Sequence, residues 1–361
     1  MSAPSDIPIL EGVGLSKHFA VDAGLLGRGK TVRAVDDVSL RVRRGETLAI
    51  VGESGSGKST LGRVLLRLLP ATSGNVLYEG RDISAVAPSE LRALRRDLQI
   101  IFQDPFASLN PRMSVGDIVG EPIWLHERLS RAERKQKTEE LLRTVGLSPA
   151  HMNRLPHEFS GGQRQRIGIA RALASSPKLL LGDEPVSALD VSVQAQIVNL
   201  LEELKERYGL TLIVVAHGLA VIRHMSDRVA VMYLGQIIEL ATSDELFEAP
   251  LHPYTQALME AVPTPSPHAR HTRALIQGDI PSATAPPPGC SFHTRCPHAR
   301  AICSEQRPLF ELAAGQRRVA CHFWREIQAA GAGAISAPAP SPAFARRLAL
   351  FKAKANPQNL L

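Results

Sequence analysis

Aromatic side chains are scarce: Phe, Trp and Tyr make up 4% of the 361 residues. So few rings argue against a surface that holds single-stranded nucleic acid by base stacking. There is no uninterrupted run of about 18 apolar residues, the length a membrane-spanning helix needs. The opening MSAPSDIPILEGVG lacks the basic start, apolar core and cleavage site of a secretory leader, so a cytoplasmic chain is expected. No dense block of Lys/Arg occurs, and no segment repeats at a fixed period. Cysteine is missing from residues 1–289, and then Cys290, Cys296, Cys303 and Cys321 fall close together. Scattered buried thiols do not cluster in that way.

The rest of the composition is that of a folded chain. Apolar residues are 44% and charged residues 21%, with a net charge of +7, too apolar for general disorder. The length allows two or three domains. The mild positive balance fits a solvated surface, with an anionic partner as the alternative.

Residues 8–51 read as strands and turns ending in a buried strand, TLAIVG, and NVLYEG at 75–80 reads as another strand. Residues 88–172 are helix-rich, with apolar positions three or four apart. Two apolar strand-like runs, KLLLGDE and LTLIVVAH, flank a helical pattern at 191–207. Strand, helix, strand of this kind implies a βαβ unit in a parallel sheet. A Pro-rich stretch at 281–289 leads into the cysteines, and an Ala/Pro/Gly/Ser linker at 329–343 precedes a short basic tail.

Gly52-Glu53-Ser54-Gly55-Ser56-Gly57-Lys58-Ser59, followed by Thr60, fits G-x-x-x-x-G-K-[ST] between a buried strand and a helix. The glycines let backbone N–H groups turn inward around phosphate, and the helix N-terminus adds its positive dipole end. Lys58 would reach the β/γ-phosphates and Ser59 would ligate Mg²⁺, so a nucleoside triphosphate is expected. LLLGDEP supplies a carboxylate pair at a strand end: Asp183 to hold Mg²⁺ and Glu184 to polarise water.

Between these lies FSGGQRQR, and with it the chain resembles the ATP-binding subunit of an ATP-binding-cassette (ABC) transporter over roughly residues 8–325. The resemblance implies an α/β fold, with a parallel-sheet core, an antiparallel β subdomain and a helical subdomain at about 104–172. The nucleotide-binding domain would occupy 1–250, a Cys-containing extension 251–325, and a flexible linker with basic tail 326–361. It makes Ser160, Gly161, Gly162 and Gln163 the signature that meets ATP held by the opposite subunit. A serine and two glycines opening a helix also suit an anion. It further makes Gln103 the Mg²⁺-sensing glutamine and Ser187-Ala188-Leu189-Asp190 the loop crossing the dimer interface. His217 becomes the switch histidine and Phe19 the adenine-stacking ring. Gly218 stands where the family commonly has Asp.

The strings QDPFASLNPRMSVGDIVGEP and LHPYT, and the cysteine segment, resemble the di- and oligopeptide importers. The cysteine gaps, C-x5-C-x6-C-x17-C, match neither paired zinc hooks nor ferredoxin spacing. The residues alone suit a thiolate metal site or an iron–sulfur cluster, with disulfides the weaker alternative in a reducing compartment. The resemblance favours [4Fe–4S]. It implies an ATPase on the cytoplasmic face of the inner membrane. The expected partners are two permease subunits, a second and paralogous ATPase, and a periplasmic or lipid-anchored solute-binding protein, with no nucleic acid. Nickel or glutathione as cargo stays open. A soluble ABC ATPase acting on ribosomes or nucleic acid is the rival, but such proteins usually carry two cassettes or a long coiled-coil insertion.

Overall fold

A computed structural model describes residues 7–21, 30–216, 218–260 and 278–330. The chain opens with β1 (Leu10–Val21), β2 (Lys30–Val42) and β3 (Thr47–Val51), followed by helix α1 (Lys58–Leu65). Then come β4 (Ser73–Tyr78), β5 (Arg81–Asp82), α2 (Pro88–Leu94) and β6 (Leu98–Ile101). A helical stretch carries α3 (Val115–His126), α4 (Arg131–Thr144) and α5 (Gly161–Leu173). The chain returns through β7 (Leu179–Asp183), α6 (Val191–Tyr208), β8 (Thr211–Ala216), α7 (Leu219–Met225), β9 (Arg228–Tyr233) and β10 (Gln236–Thr242). It ends with α8 (Ser243–Glu248), α9 (Pro253–Glu260), α10 (Ala301–Glu305), β11 (Glu311–Ala314), β12 (Arg317–Val319) and α11 (Trp324–Ala329).

Two sheets organise these elements. An antiparallel sheet has the order β2-β1-β4-β5, and an eight-stranded sheet the order β11-β12-β10-β9-β3-β8-β7-β6. In the larger sheet β6, β7, β8, β3 and β9 run parallel, while β10, β12 and β11 continue antiparallel. Every residue of β3, β7, β8 and β9 is buried, which explains their unbroken apolar runs: both faces of a parallel sheet are covered. The period of two divides each strand between two cores. Leu48, Ile50, Leu179, Leu181, Ile213 and Val215 join the core built with α1 and the antiparallel sheet. Ala49, Val51, Leu180, Leu212 and Val214 join the core built with the helices.

The helical subdomain hangs on that second core through Ile118, Val119, Ile123, Leu141, Leu142, Ile167 and Ile169. Its helices start where side chains cap them. Ser130 with Glu133 and Ser160 with Gln163 each form a reciprocal capping box, satisfying N–H groups a helix start leaves orphaned.

The C-terminal segment does not sit beside the cassette but lengthens its sheet across residue 250. β12 pairs with β10, Glu239 opposite Val319 and Leu240 opposite Arg318, so an otherwise open strand edge is covered. Glu239 is fully buried and ties the junction. It accepts Leu251 N–H at 2.8 Å, His252 N–H at 2.9 Å and Arg317 Nη2 at 2.8 Å. Helix α11 runs through the 325/326 boundary expected for the linker, because Trp324 and Ile327 are buried rather than free; the linker and tail from 331 onward lie outside the described residues. The short strands β6, β9 and β10 were not expected as strands; β6 has four residues and lies inside the helix-rich stretch.

Candidate nucleotide-binding site

The phosphate loop leaves β3 and turns into α1 under tight packing. Gly52 has φ 152° and Gly57 φ 100°, a region L side chains rarely enter. A Cβ on Gly52 would lie 2.1 Å from Met232 O, and one on Gly57 1.9 Å from Ala34 O. The loop is thus pressed onto β9 and β2. Ser54 and Gly55 are exposed at its tip, Ser59 and Thr60 are half-buried in the first turn of α1, and the buried Ser56 hydroxyl has no hydrogen-bond partner among the described residues. Lys58 is 4% exposed, and its Nζ donates to Gly52 O and Glu53 O, each at 2.8 Å. Burial lowers the Lys58 pKa to about 8, against the pull of Glu184, Asp183 and Glu53.

Three further strand ends face the same edge. Asp183 closes β7 and is fully buried. Its Oδ2 accepts Arg63 Nη2 at 3.0 Å, whereas Oδ1 has no partner among the described residues. Glu184 follows with φ 52°, a strained conformation for a non-glycine residue. Gln103, just past β6, donates Nε2 to Glu184 Oε2 at 2.8 Å. Ala216, which ends β8, pairs with Val51; the next residue, His217, lies outside the described residues. Parallel strands therefore bring motifs from 52, 103 and 183 to one carboxyl edge, where open α/β sheets take ligands. An orphaned buried carboxylate oxygen and hydroxyl suit a cation and a phosphate, and the all-oxygen set of Ser59, Gln103 and Asp183 suits Mg²⁺.

The signature stands apart from this edge. Ser160 is exposed at the N-terminus of α5, its polar contacts made to Gln163. A Cβ on Gly162 would meet Val193 Cγ1 at 2.6 Å, and one on Gly161 would meet Leu189 at 3.6 Å, so the signature packs on the loop that leads into α6. Asp190, at the N-cap of α6, is exposed and does not cap the helix with its side chain. Phe19 on β1 is 37% exposed, with Lys17 Nζ 5.1 Å from its ring centre. Gly218 is exposed, and a Cβ there would meet nothing within 4 Å.

The four cysteines are free thiols. Cys290 N–H donates to Cys303 O at 2.8 Å. The sulfurs are near enough to feel one another's charge, and backbone amides at Phe292, His293, His298 and Phe323 hydrogen-bond to the thiols of Cys290, Cys296 and Cys321. Burial pushes Cys296 to about 11 and Cys321 to about 12. Among the described residues no group of three or more His, Cys, Asp or Glu could hold a metal ion.

Two contacts escaped the sequence. Arg63 sits one turn after Ser59 on α1, a spacing that could have placed it beside the site. Arg295 and Tyr254 reach Glu53 from the C-terminal segment, and no local pattern signals a contact over that separation.

The profile of the ABC transporter family matches residues 35–187, and that of the oligopeptide/dipeptide transporter C-terminal region matches 238–303. The chain is 52% identical to the oligopeptide transport ATP-binding protein AppF of Bacillus subtilis (strain 168), covering 90% of this chain and all of AppF. The chain belongs to the ATP-binding proteins of ABC transporters. It is 52% identical to the Escherichia coli (strain K12) oligopeptide transport ATP-binding protein OppF over 84% of this chain and 92% of OppF. Among solved structures it resembles the dimeric ATP-binding cassette MJ0796 bound to ADP and Pi. The TM-score is 0.59 at 30% identity, covering 65% of this chain and 98% of that one. As a member of this family the chain is an ATPase coupled to transport. Among the described residues no helix is long and apolar enough to cross a membrane.

Proposed function

We propose that this ABC ATP-binding protein energises the import of di- or oligopeptides as a peripheral subunit on the cytoplasmic face of the inner membrane. The observation that carries the reading is the full-length match to AppF, which spans the cassette and the C-terminal region alike. Two permease subunits, a paralogous second ATPase and a solute-binding protein complete the assembly.

Each chain contributes half of two composite sites. Lys58 and the amides of Gly55, Ser56 and Gly57 hold the β/γ-phosphates, while Phe19 takes the adenine. Ser59, Gln103 and Asp183 hold Mg²⁺, which offsets phosphate charge when bound. Glu184 orients water in line with the γ-phosphate, and His217 contacts that group. Ser160, Gly161, Gly162 and Gln163, with Asp190 beside them, serve the ATP of the opposite chain; the exposure of Ser160 and Asp190 supports a role across an interface. Glu184→Gln should retain ATP binding and slow phosphate release at least a hundredfold; near wild-type release would remove Glu184 from that role.

Cys290, Cys296, Cys303 and Cys321 are the ligands proposed for a [4Fe–4S] cluster. Amide N–H groups bonded to the sulfurs of Cys290, Cys296 and Cys321 support it, since thiolates and N–H···S bonds hold and tune such clusters, although the four do not form a metal-holding group in the described geometry. Bound there, the cluster would tie Cys303 on α10 to three loop positions. Iron and sulfide assay of anaerobically purified protein tests it, and absence of both overturns it.

Affinity capture of the tagged chain from mild-detergent membranes, with partners identified by mass spectrometry, tests the transport reading. Two polytopic permeases, a second ATPase and a solute-binding protein are expected. Ribosomal or DNA-repair partners without a permease would overturn it.

A further inference from the structure

Two groups from the C-terminal segment converge on Glu53, the second residue of the phosphate loop. Tyr254 Oη accepts Glu53 N–H at 2.9 Å. Arg295 forks across the carboxylate, Nη1 to Oε2 at 2.9 Å and Nη2 to Oε1 at 3.2 Å. The Arg295 side chain is 6% exposed and that of Glu53 26%, so the pair is partly shielded from water and salt on its arginine side. A fork of two parallel bonds also fixes orientation, which a lysine could not.

Both groups are rigidly presented. Tyr254 is fully buried, and its ring lies 4.7 Å from Tyr233 and 5.4 Å from Phe292, centre to centre. Arg295 closes the short turn His293–Arg295, where its N–H donates to Phe292 O at 3.0 Å and the His293 N–H to Cys290 O at 3.1 Å. That turn lies between Cys290 and Cys296. The arginine that grips the phosphate loop is therefore carried by the cysteine segment itself.

The electrostatic consequence is direct. Glu53 places a negative charge in a loop whose ligand is a polyanion, and like charges at close range cost binding. We propose that Arg295 is a positioning residue for nucleotide binding, which neutralises and orients Glu53 so that the loop accepts a triphosphate, and through which the cysteine segment controls nucleotide affinity. The inference rests on the nucleotide reading of the phosphate loop. It assigns the C-terminal segment a role at the ATP site, separate from anything it does with a cluster.

Isothermal titration of MgATP and MgADP into the purified full-length chain tests it. Arg295→Gln should weaken MgATP about tenfold and MgADP less, because the exposed Glu53 charge repels the more highly charged ligand harder. Glu53→Gln alone should bind MgATP as tightly as wild type or a few-fold tighter. The Glu53→Gln/Arg295→Gln double variant should return to within about threefold of wild type. A merely structural arginine would instead weaken both nucleotides equally and would not be rescued by neutralising Glu53. Unchanged MgATP affinity in Arg295→Gln, or failure of the double variant to recover, overturns the inference. If Arg295→Gln does not fold, Glu53→Gln decides alone: weaker MgATP binding there overturns it. Lys58→Ala separates the two levels. Loss of MgATP binding in that variant upholds the nucleotide reading, whereas unchanged binding overturns that reading and the inference with it.

Discussion

The phosphate loop and the cysteine segment are both small loop sites, yet they are built in opposite ways. The loop is shaped chiefly by main chain: Gly52 and Gly57 turn where no Cβ fits, against carbonyls of Met232 and Ala34, and distant side chains bond to it at Glu53. Its ligand groups are consecutive residues, so the site exists as soon as β3 and α1 are in place. The cysteine segment is shaped by side chains brought from afar. Its cysteines run from 290 to 321, in a segment anchored by the pairing of β12 with β10 and by Glu239, which binds Leu251, His252 and Arg317 together. A site made by local backbone survives most distant changes, whereas one made by long-range packing depends on its buried anchors.

The sharpest way to break that contrast is at Gly57. Gly57→Ala places a methyl 1.9 Å from Ala34 O, which must move backbone rather than a flexible tip. MgATP binding should fall by more than a hundredfold, measured by titration, with the fold of the cysteine segment intact by proteolysis. Next is Glu239→Ala, which strands the buried Arg317 and leaves two backbone N–H groups without their acceptor. Removing one member of a buried pair costs about 3–5 kcal/mol. Protease cutting after 250 should increase, while the phosphate loop loses no more ATP affinity than Arg295→Gln does, about tenfold. Loss of both together would show that the two regions are one cooperative unit.

A smaller effect separates them by pH. His252 is fully enclosed and its pKa falls from 6.5 to about 3, mainly through burial, although a hydrogen bond with the Ala320 backbone pulls the other way. The unfolded chain takes up a proton below 6.5 that the folded chain refuses. Stability is therefore full above pH 6.5 and declines as pH falls toward 3, by about 2 kcal/mol at pH 5. The melting temperature should drop over that window, and His252→Gln should flatten the slope. The least effect is expected at Gly218→Asp, where a side chain enters open space. Stability should change by under about 0.5 kcal/mol, read by thermal unfolding, so any change in phosphate release in that variant reports on chemistry and not on folding.

Much of the nucleotide site was legible because its signals are local. A fully buried strand reads as an unbroken apolar run, as in Leu179–Asp183, and a serine with glutamine three residues on marks a helix start, as at Ser160. The short strands were not legible. Leu98–Ile101 has four residues amid helical patterns, and β11 and β12 have four and three, too few for a period to declare itself. Arg295 on Glu53 was missed for a different reason, since an ion pair over that separation leaves no trace in either local segment, whereas Arg63 on Asp183 left only its helical spacing from Ser59.

The amino-acid order by itself determined the phosphate loop, the carboxylate pair after β7 and the capped signature helix. Each of those depends on neighbours within a few residues, where backbone geometry follows from residue type. Only the tertiary structure decided that the C-terminal segment extends the main sheet, that Cys290 N–H bonds back to Cys303 O, and that Arg295 closes on Glu53. Those arrangements are set by which buried surfaces and charges satisfy each other, at sequence separations reaching 78 residues for Arg317 on Glu239 and 242 for Arg295 on Glu53, and burial is a property of the whole fold.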